Sequence, residues 1–567
     1  MIPSFRAFLR RLLPLRLSTL VFFFAALALA RGHAEPMVMI SAGDPLLDDL
    51  RFLLREGGVS FTSLTPPFSG YEIQGLLRDL NPETLSGPGF AAYQRITEAL
   101  NPKLLLPRGI FNLSLGVQTA PEFRFRTNKE VYWIRGIHDS PAFLSIPVNL
   151  FFTDYLLLNA EPVLTSEPSS YEDEGVWWNT NLPYLPQRVD LNLPLRAFAA
   201  AGGPWWSFQI GRDRLSFGPG KTGNLALSDT PDFYDFGRIS FFSPHFKYSF
   251  FISQLPLATD SLFAPGFGPA SSGELTQTTR RYLYLHRIDM RFFRRFSLGF
   301  TEGIMVGNSP PELRFFTPLG LFHSFFAWND YEAWQGMGPR GNAGEGSMAG
   351  SLFSVDLEWA VLPALALYGQ LVMNEFSTSY EKKRWPDSQP PNGLGYLAGL
   401  EYIPGFTSWQ ASFYGELVYT DPYLYVLSSP FASFISMRRL PELGDKELRY
   451  RWIGHPQGRD TLLVALGADF LREPWKFALG LSFIRRGEHT IRWDWSLGRD
   501  SFNEISPTGT PETVFTLQGE VTWKLLPGFS LNLYTGGSLI FDLRHQERAA
   551  PKFGLETALS LSYSRTF

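Results

Sequence analysis

The 567 residues include no cysteine. A disulfide framework and any thiolate-ligated metal centre are therefore excluded. Charge is sparse as well, with 18% charged residues and a formal net charge of −4. That balance leaves no basic footprint and argues against nucleic acid as a partner. Beyond Ala30 no apolar run approaches the ~18 residues that a membrane-spanning helix requires. Aromatic residues, by contrast, are abundant: 51 Phe, 22 Tyr and 15 Trp make up 16% of the chain, which excludes intrinsic disorder.

The first residues read as an export signal. Arg6, Arg10, Arg11 and Arg16 form a positive region without an acid, Leu17 to Ala30 is apolar, and small residues suited to cleavage stand at Ala30 and Ala34. As a helix, the apolar stretch would cover only ~21 Å, short of a ~30 Å hydrocarbon core. Residues 1–34 are thus expected to be a cleaved signal peptide. Its removal takes five of the 50 basic groups and none of the 54 acidic ones, leaving −9. An exported, aromatic-rich chain without a spanning helix is either a soluble secreted protein or an outer-membrane β-barrel, and strand periodicity decides between them.

Residues 35–107 have helical periodicity. Asp44-Pro45 sets an N-cap followed by proline, ahead of an apolar stripe of Leu46, Leu47, Leu50, Leu53 and Leu54 that stops at Gly57-Gly58. Further helices are predicted at Tyr71–Leu80 and Gly89–Leu100, each ended by Asn-Pro. A module this small is marginal alone and calls for docking on something larger, such as the periplasmic mouth of a barrel.

From residue 108 onward the period is two. Arg188–Ala199 alternates most cleanly, and Trp409–Tyr419, Lys476–Phe483 and Phe529–Thr535 follow the same rule. Tight turns at Leu362-Pro363, Pro404-Gly405, Glu473-Pro474 and Pro527-Gly528 alternate with long polar connections at 377–393, 420–460, 486–511 and 543–551. Short turns on one rim and long loops on the other are the habit of outer-membrane barrels. About nine strands fit residues 352–567 and a similar number fit 107–350, so the prediction is an all-β, transmembrane, antiparallel outer-membrane β-barrel of about 18 strands. In the last strand Phe553, Leu555, Leu559, Leu561, Tyr563 and Phe567 share one face. This apolar strand ending on an aromatic resembles the signal read by barrel-assembly machinery, with Leu559, Leu561, Tyr563 and Phe567 as its elements.

Catalytic and metal chemistry find little support. The eight histidines show no metal-ligand spacing, no Gly-x-Ser-x-Gly elbow stands out, and Gly218-Pro219-Gly220-Lys221-Thr222 lacks the leading glycine of a phosphate loop because Leu215 occupies that place. No cofactor is expected. Arg212, Asp213 and Arg214 follow the aromatic stretch Trp205–Ile210, and three adjacent charges belong at a rim or in the lumen, where arginines could hold an acidic polymer. Most tryptophans fit an interfacial girdle, including Trp205-Trp206 and the Trp493/Trp495 pair, while Trp177-Trp178 fits carbohydrate stacking from a long loop.

The stretch Trp206–Ser228, reading WSFQIGRDRLSFGPGKTGNLALS, resembles the signature of the capsule-assembly Wzi family of outer-membrane barrels. Further pieces agree in order: His286-Arg287, Pro318-Leu319 before Phe322-His323, Asn329-Asp330, LYGQLVMNEF at Leu367–Phe376, and Gly454-His455-Pro456-Gln457-Gly458. The chain departs from the motif at Leu215, Ser216, Lys221 and Arg459. The resemblance implies a non-enzymatic protein of a diderm outer membrane that binds or organises exported surface polysaccharide, with membrane lipid and that polysaccharide as its partners. Arg212, Asp213, Arg214, Trp177, Trp178 and His455 are the candidate contacts. The alternative within the same architecture is a porin-like channel or substrate-specific transporter.

Overall fold

The computed structural model describes residues 37–567 except 106–110, 137–138, 153, 167–174, 191–194, 259–279, 308–309, 319, 321, 323–348, 377–378, 385–390, 428, 442–445 and 493–503. The expected signal peptide, Trp493/Trp495, His323 and Asn329-Asp330 lie outside these residues. Eighteen antiparallel strands close into one barrel. The first three are each broken at a proline, which has no N–H to give the ladder. They are β1 (Phe111–Thr119, resuming at Glu122–Arg126 after Pro121), β2 (Leu144–Ser145 and Val148–Phe152 around Pro147) and β3 (Leu156–Glu161 and Val163–Leu164 around Pro162).

The wall continues through β4 (Arg196–Gly203), β5 (Trp206–Asp213), β6 (Tyr234–Ser243), β7 (Phe246–Gln254), β8 (Arg281–Phe292) and β9 (Phe296–Gly307). The second half is β10 (Ala349–Leu362), β11 (Leu365–Glu375), β12 (Gly393–Tyr402), β13 (Gln410–Thr420), β14 (Thr461–Arg472), β15 (Trp475–Arg486), β16 (Glu512–Leu526), β17 (Phe529–Phe541) and β18 (Lys552–Thr566). Closure comes from β18 on β1, with Tyr563 opposite Thr119 and Leu559 opposite Phe123. The predicted nine-and-nine division holds. One prediction needs correction: the cleanly alternating 188–199 is not one strand. Arg188 ends a 3-10 turn, and β4 starts only at Arg196. Pro194 has no N–H to give the ladder of a strand running through the segment.

The turns at Leu362–Leu365, Arg472–Trp475 and Leu526–Phe529 lie at one rim, and the long connections lie at the other; the first rim is therefore periplasmic and the second outer. Alternation separates the faces of β18: Phe553, Leu555, Leu559 and Leu561 are exposed toward lipid, while Glu556, Ala558 and Ser560 are buried toward the bore. Near the periplasmic turns Trp475 stacks on Trp523 (5.1 Å), Trp205 on Phe241 (6.1 Å) and Phe529 against Tyr563 (4.6 Å). Amphipathic rings at one level form an interfacial girdle.

Residues 37–105 lie in the bore at its periplasmic end. Helix α1 (Leu46–Glu56) starts one residue later than predicted, because the Asp44 carboxylate accepts from the Leu46 N–H (3.0 Å) with Pro45 at the cap. Helix α2 (Gly70–Leu77) opens with a capping box between Ser69 and Glu72. Helix α3 (Gly87–Leu100) is capped by Ser86. Leu50, Leu53, Leu54, Ile73, Leu76, Ile96 and Leu100 form a core of their own that reaches Ile403 in the periplasmic turn after β12. Full burial of such a side chain stabilises by ~2 kcal/mol.

Candidate functional site

Charge pairs join the helical module to the wall. Arg55 of α1 is fully buried and bonds Glu358 of β10 (2.5 Å) and Glu401 of β12 (2.9 Å), which hold its guanidinium well above the ordinary arginine range against the opposing effect of burial. Glu72 of α2 takes the Lys247 ammonium of β7 at 2.5 Å. Ser63 donates to Asp289 of β8 (2.8 Å), and the Arg238 guanidinium of β6 donates to the Thr65 carbonyl (3.1 Å).

The outer connections fill the bore from the opposite side. In the β5–β6 connection, Leu215, Phe217, Leu225 and Leu227 are buried against Leu424, Tyr425, Val426, Phe434 and Ile453 of the β13–β14 connection. The two layers meet where Gly218 N–H donates to the Leu64 carbonyl (2.9 Å) and Arg51 donates to the Pro219 carbonyl (3.1 Å). Gly218 sits at φ +139°, where a Cβ would lie 2.5 Å from both Asn224 and Gln370, so the Gly-Pro-Gly bend admits no side chain there. Lys221, next in this bend, pairs with Glu401 and Asp48 (3.4 Å each), and Glu416 accepts from its N–H (2.8 Å).

The predicted contact residues do not assemble into one cluster. Successive strand residues face opposite ways, so Arg212 and Asp213 part company. Arg212 stands on the outer face of β5, bidentate to Asp235 (2.7 and 3.0 Å) with its guanidinium 3.8 Å from the Phe233 ring centre. Asp213 is buried inside, accepting from Arg196 (2.9 Å), Ser41 (2.8 Å), Gln209 (3.0 Å) and the Arg214 N–H (2.9 Å). Trp178 opens a three-residue strand on β1, opposite Phe125 on the wall's outer face and stacked on Tyr184 (6.0 Å); Trp177 is exposed beside it.

His455 is fully buried, and burial pushes its imidazole down to about 3. Its Nδ1 accepts from the Gln457 N–H (3.2 Å), so the proton resides on Nε2, 3.2 Å from the Thr222 hydroxyl. The Tyr425 hydroxyl accepts from the His455 backbone N–H (3.1 Å). The histidine thus fastens one outer connection to the other within the plug.

A cavity of about 670 Å³ remains at the outer end, between the connection after β1 and the inner faces of β15, β16 and β17. Its lining includes Arg126, Arg135, Arg451, Arg486, Tyr132 and Trp133, and no carboxylate among the described residues. Arg126 stacks on Trp133 at 4.3 Å and donates to the carbonyls of Val131 (2.7 Å) and Val176 (2.8 Å). Arg486 is held by Gln457 Oε1 (2.8 and 3.1 Å) and by Glu512 behind the lining (3.3 Å). Arg135 pairs with Glu122 (2.9 Å) and lies 5.3 Å from the Tyr534 ring centre. Sequence reasoning missed these arginines because they come from separate connections and share no spacing; Gln457 of the Gly-His-Pro-Gln-Gly segment was the one signal leading there.

No protein-family model matches the sequence, and no curated protein sequence is significantly similar to it. Among solved structures, the chain is similar to Wzi of Escherichia coli, an outer-membrane protein involved in group 1 capsule assembly and described as a carbohydrate-binding β-barrel. The match covers 92% of this chain and 98% of that one, with a TM-score of 0.55 and 14% identity. The fold is that of Wzi. Residues 111–567, the barrel proper, are 457 of 567, or 81%, so a 92% match to Wzi extends into the helical module as well. Two Pseudomonas aeruginosa barrels, OccK5 (OpdH) and OprD, match 80% of the chain at TM-scores of 0.37 and 0.38 with 9% and 8% identity.

Proposed function

We propose that this outer-membrane barrel binds exported polysaccharide at its outer mouth and helps to organise it on the cell surface, without catalysing a reaction. The observation that carries this reading is the filled bore. A porin conducts through a continuous aqueous lumen. Here a helical layer and a layer of outer connections meet by hydrogen bonds in mid-bore. The outer face nevertheless keeps a cavity with aromatic and hydrogen-bonding groups, the lining that a glycan needs. The Wzi fold supports the reading, since Wzi is described as carbohydrate-binding. On the same reading, Leu559, Leu561, Tyr563 and Phe567 are recognised by barrel-assembly machinery during insertion.

Planar-bilayer recording of the purified protein, paired with retention of surface polysaccharide extracted from the producing cell, tests the proposal. Retention of polysaccharide without ohmic conductance steps is expected. Steady single-channel steps with no retention would replace it with the channel reading.

A further inference from the structure

The helical module does not fill the periplasmic end of the bore evenly. Between α3 and the inner faces of β1 to β4 lies a cleft of about 1450 Å³, bordered at its mouth by the periplasmic turn at Pro527-Gly528. On the wall side it meets a row of uncharged polar side chains. Ser114 of β1 stands opposite Asn149 of β2, and Asn149 opposite Asn159 of β3. All three line the cleft, one strand spacing of ~4.8 Å apart. The Asn159 amide donates to Asn149 Oδ1 (2.8 Å), yet its own Oδ1 has no donor although the residue is only 8% exposed. The buried Ser114 hydroxyl has no partner among the described residues, and the Asn149 N–H groups are likewise uncommitted. Buried polar groups are paired as a rule, so an unpaired row facing a space calls for a ligand in that space.

We infer that this cleft binds a neutral oligosaccharide from the periplasmic side, at a site separate from the outer mouth and independent of what the mouth binds. The charges of the lining do not claim the ligand. Arg196 is held by Asp213 (2.9 Å) and Glu161 (3.2 Å), and Arg95 by Asp49 (2.7 Å). Glu98, Lys103 and Arg565 are exposed and of both signs. What the row itself offers is a hydroxyl and two carboxamides, groups that donate and accept together, as sugar hydroxyls do. Phe198, opposite Asn159 on β4, extends the row with apolar surface for the C–H face of a ring. An extended peptide would instead be held by a free strand edge, and the backbone behind this row is committed to its own ladders. The volume exceeds the ~300–1,000 Å³ of small-ligand sites and gives room for several sugar units.

The test uses the whole protein in lipid nanodiscs, free of sugar-headed detergent, with neutral hexasaccharides of glucose, mannose and N-acetylglucosamine as probes. Because the chain has no cysteine, Thr97→Cys on the exposed, cleft-lining side of α3 supplies a single reporter thiol. At least one hexasaccharide should bind by calorimetry and slow maleimide labelling of that thiol. Asn159→Leu, matched in shape, should weaken binding about tenfold while heat-modifiable migration stays intact. Ser114→Ala, the milder change, should weaken it several-fold and reads the same row should leucine disturb the strand. Sugar binding unchanged in both variants would place the sugar elsewhere and overturn the site. Binding by none of the hexasaccharides would overturn the inference and leave the outer-mouth reading standing, since that rests on retention of surface polysaccharide. Protection of the thiol by a neutral hexapeptide and by no sugar would make the cleft a peptide site and overturn the saccharide assignment.

Discussion

Arg55 gives the sharpest test of how the bore is closed. Its guanidinium carries the charge that two buried carboxylates share, Glu358 at 2.5 Å and Glu401 at 2.9 Å. Arg55→Met keeps the length and apolar stem and removes the charge. Glu401 would retain Lys221 at 3.4 Å, and Glu358 would retain the Phe61 N–H at 3.1 Å. The loss therefore falls at the lower end of the ~3–5 kcal/mol expected when one member of a buried ion cluster is removed. About 3 kcal/mol raises the undocked fraction of the module more than a hundredfold. The wall should not suffer, because β10 and β12 keep their ladders, so heat-modifiable migration stays unchanged. Digestion by trypsin under native conditions should become faster at Arg51, Arg78 and Arg95, and brief conductance events should appear in bilayers. The control is the triple variant Arg55→Met/Glu358→Gln/Glu401→Gln. Neutral amides no longer need a cation, so protection should return in large part. Protection of the single variant equal to the parent would refute the argument that this cluster anchors the plug. Equal loosening in the triple variant would show that packing, not charge, is what Arg55 supplies.

Three more outcomes are expected. Removing residues 553–567 deletes the strand that pairs with both β17 and β1, and should abolish heat-modifiable migration, because an open edge cannot be satisfied in lipid. Protease applied to intact cells should cut within 436–452, the hairpin of the outer connection, and spare the periplasmic turns at Leu362–Leu365 and Leu526–Phe529; the reverse pattern would invert the topology. His455 is kept neutral by burial, with its imidazole pushed down to about 3, whereas the unfolded residue takes a proton near ~6.5. The stability of its connection is therefore full above that pH and falls by ~1.4 kcal/mol per pH unit below it, until about 3. Hydrogen exchange over 454–460 should accelerate between pH 6.5 and 4.5, and His455→Gln should flatten that dependence; a parent profile already flat would contradict the burial argument.

Period-two alternation made the barrel legible, because each wall strand meets lipid on one side and the bore on the other. The same rule, applied one residue at a time, also separates Arg212 from Asp213; treating the three charges as a unit set the rule aside. Alternation misled at 188–199, where the pattern exists without the ladder: Asp190 is buried and paired with Arg438 of the outer hairpin rather than standing on a strand face. His455 enters as a candidate contact through the family resemblance of its Gly-His-Pro-Gln-Gly segment, which lies in a long connection. Length does not say whether a connection stands in water or folds back into the bore, and this one folds back against Tyr425 and Thr222.

The bore explains why so much of the site was invisible. Inner-face residues such as Lys247, Arg287, Glu358, Glu401 and Glu556 are spaced as any polar lumen residues would be, and in an open channel they would face water. Here they are buried, which is tolerable only where each charge finds a partner. The partners come from elsewhere in the chain or across the wall: Glu72 for Lys247, Arg55 for Glu358 and Glu401, and Asp356 of β10 for Arg287. Two elements supply one pair, so neither element's sequence states it. The pairs also set the module's orientation, since a helical layer rotated within the bore would separate Arg55 from β10 and Glu72 from β7 together.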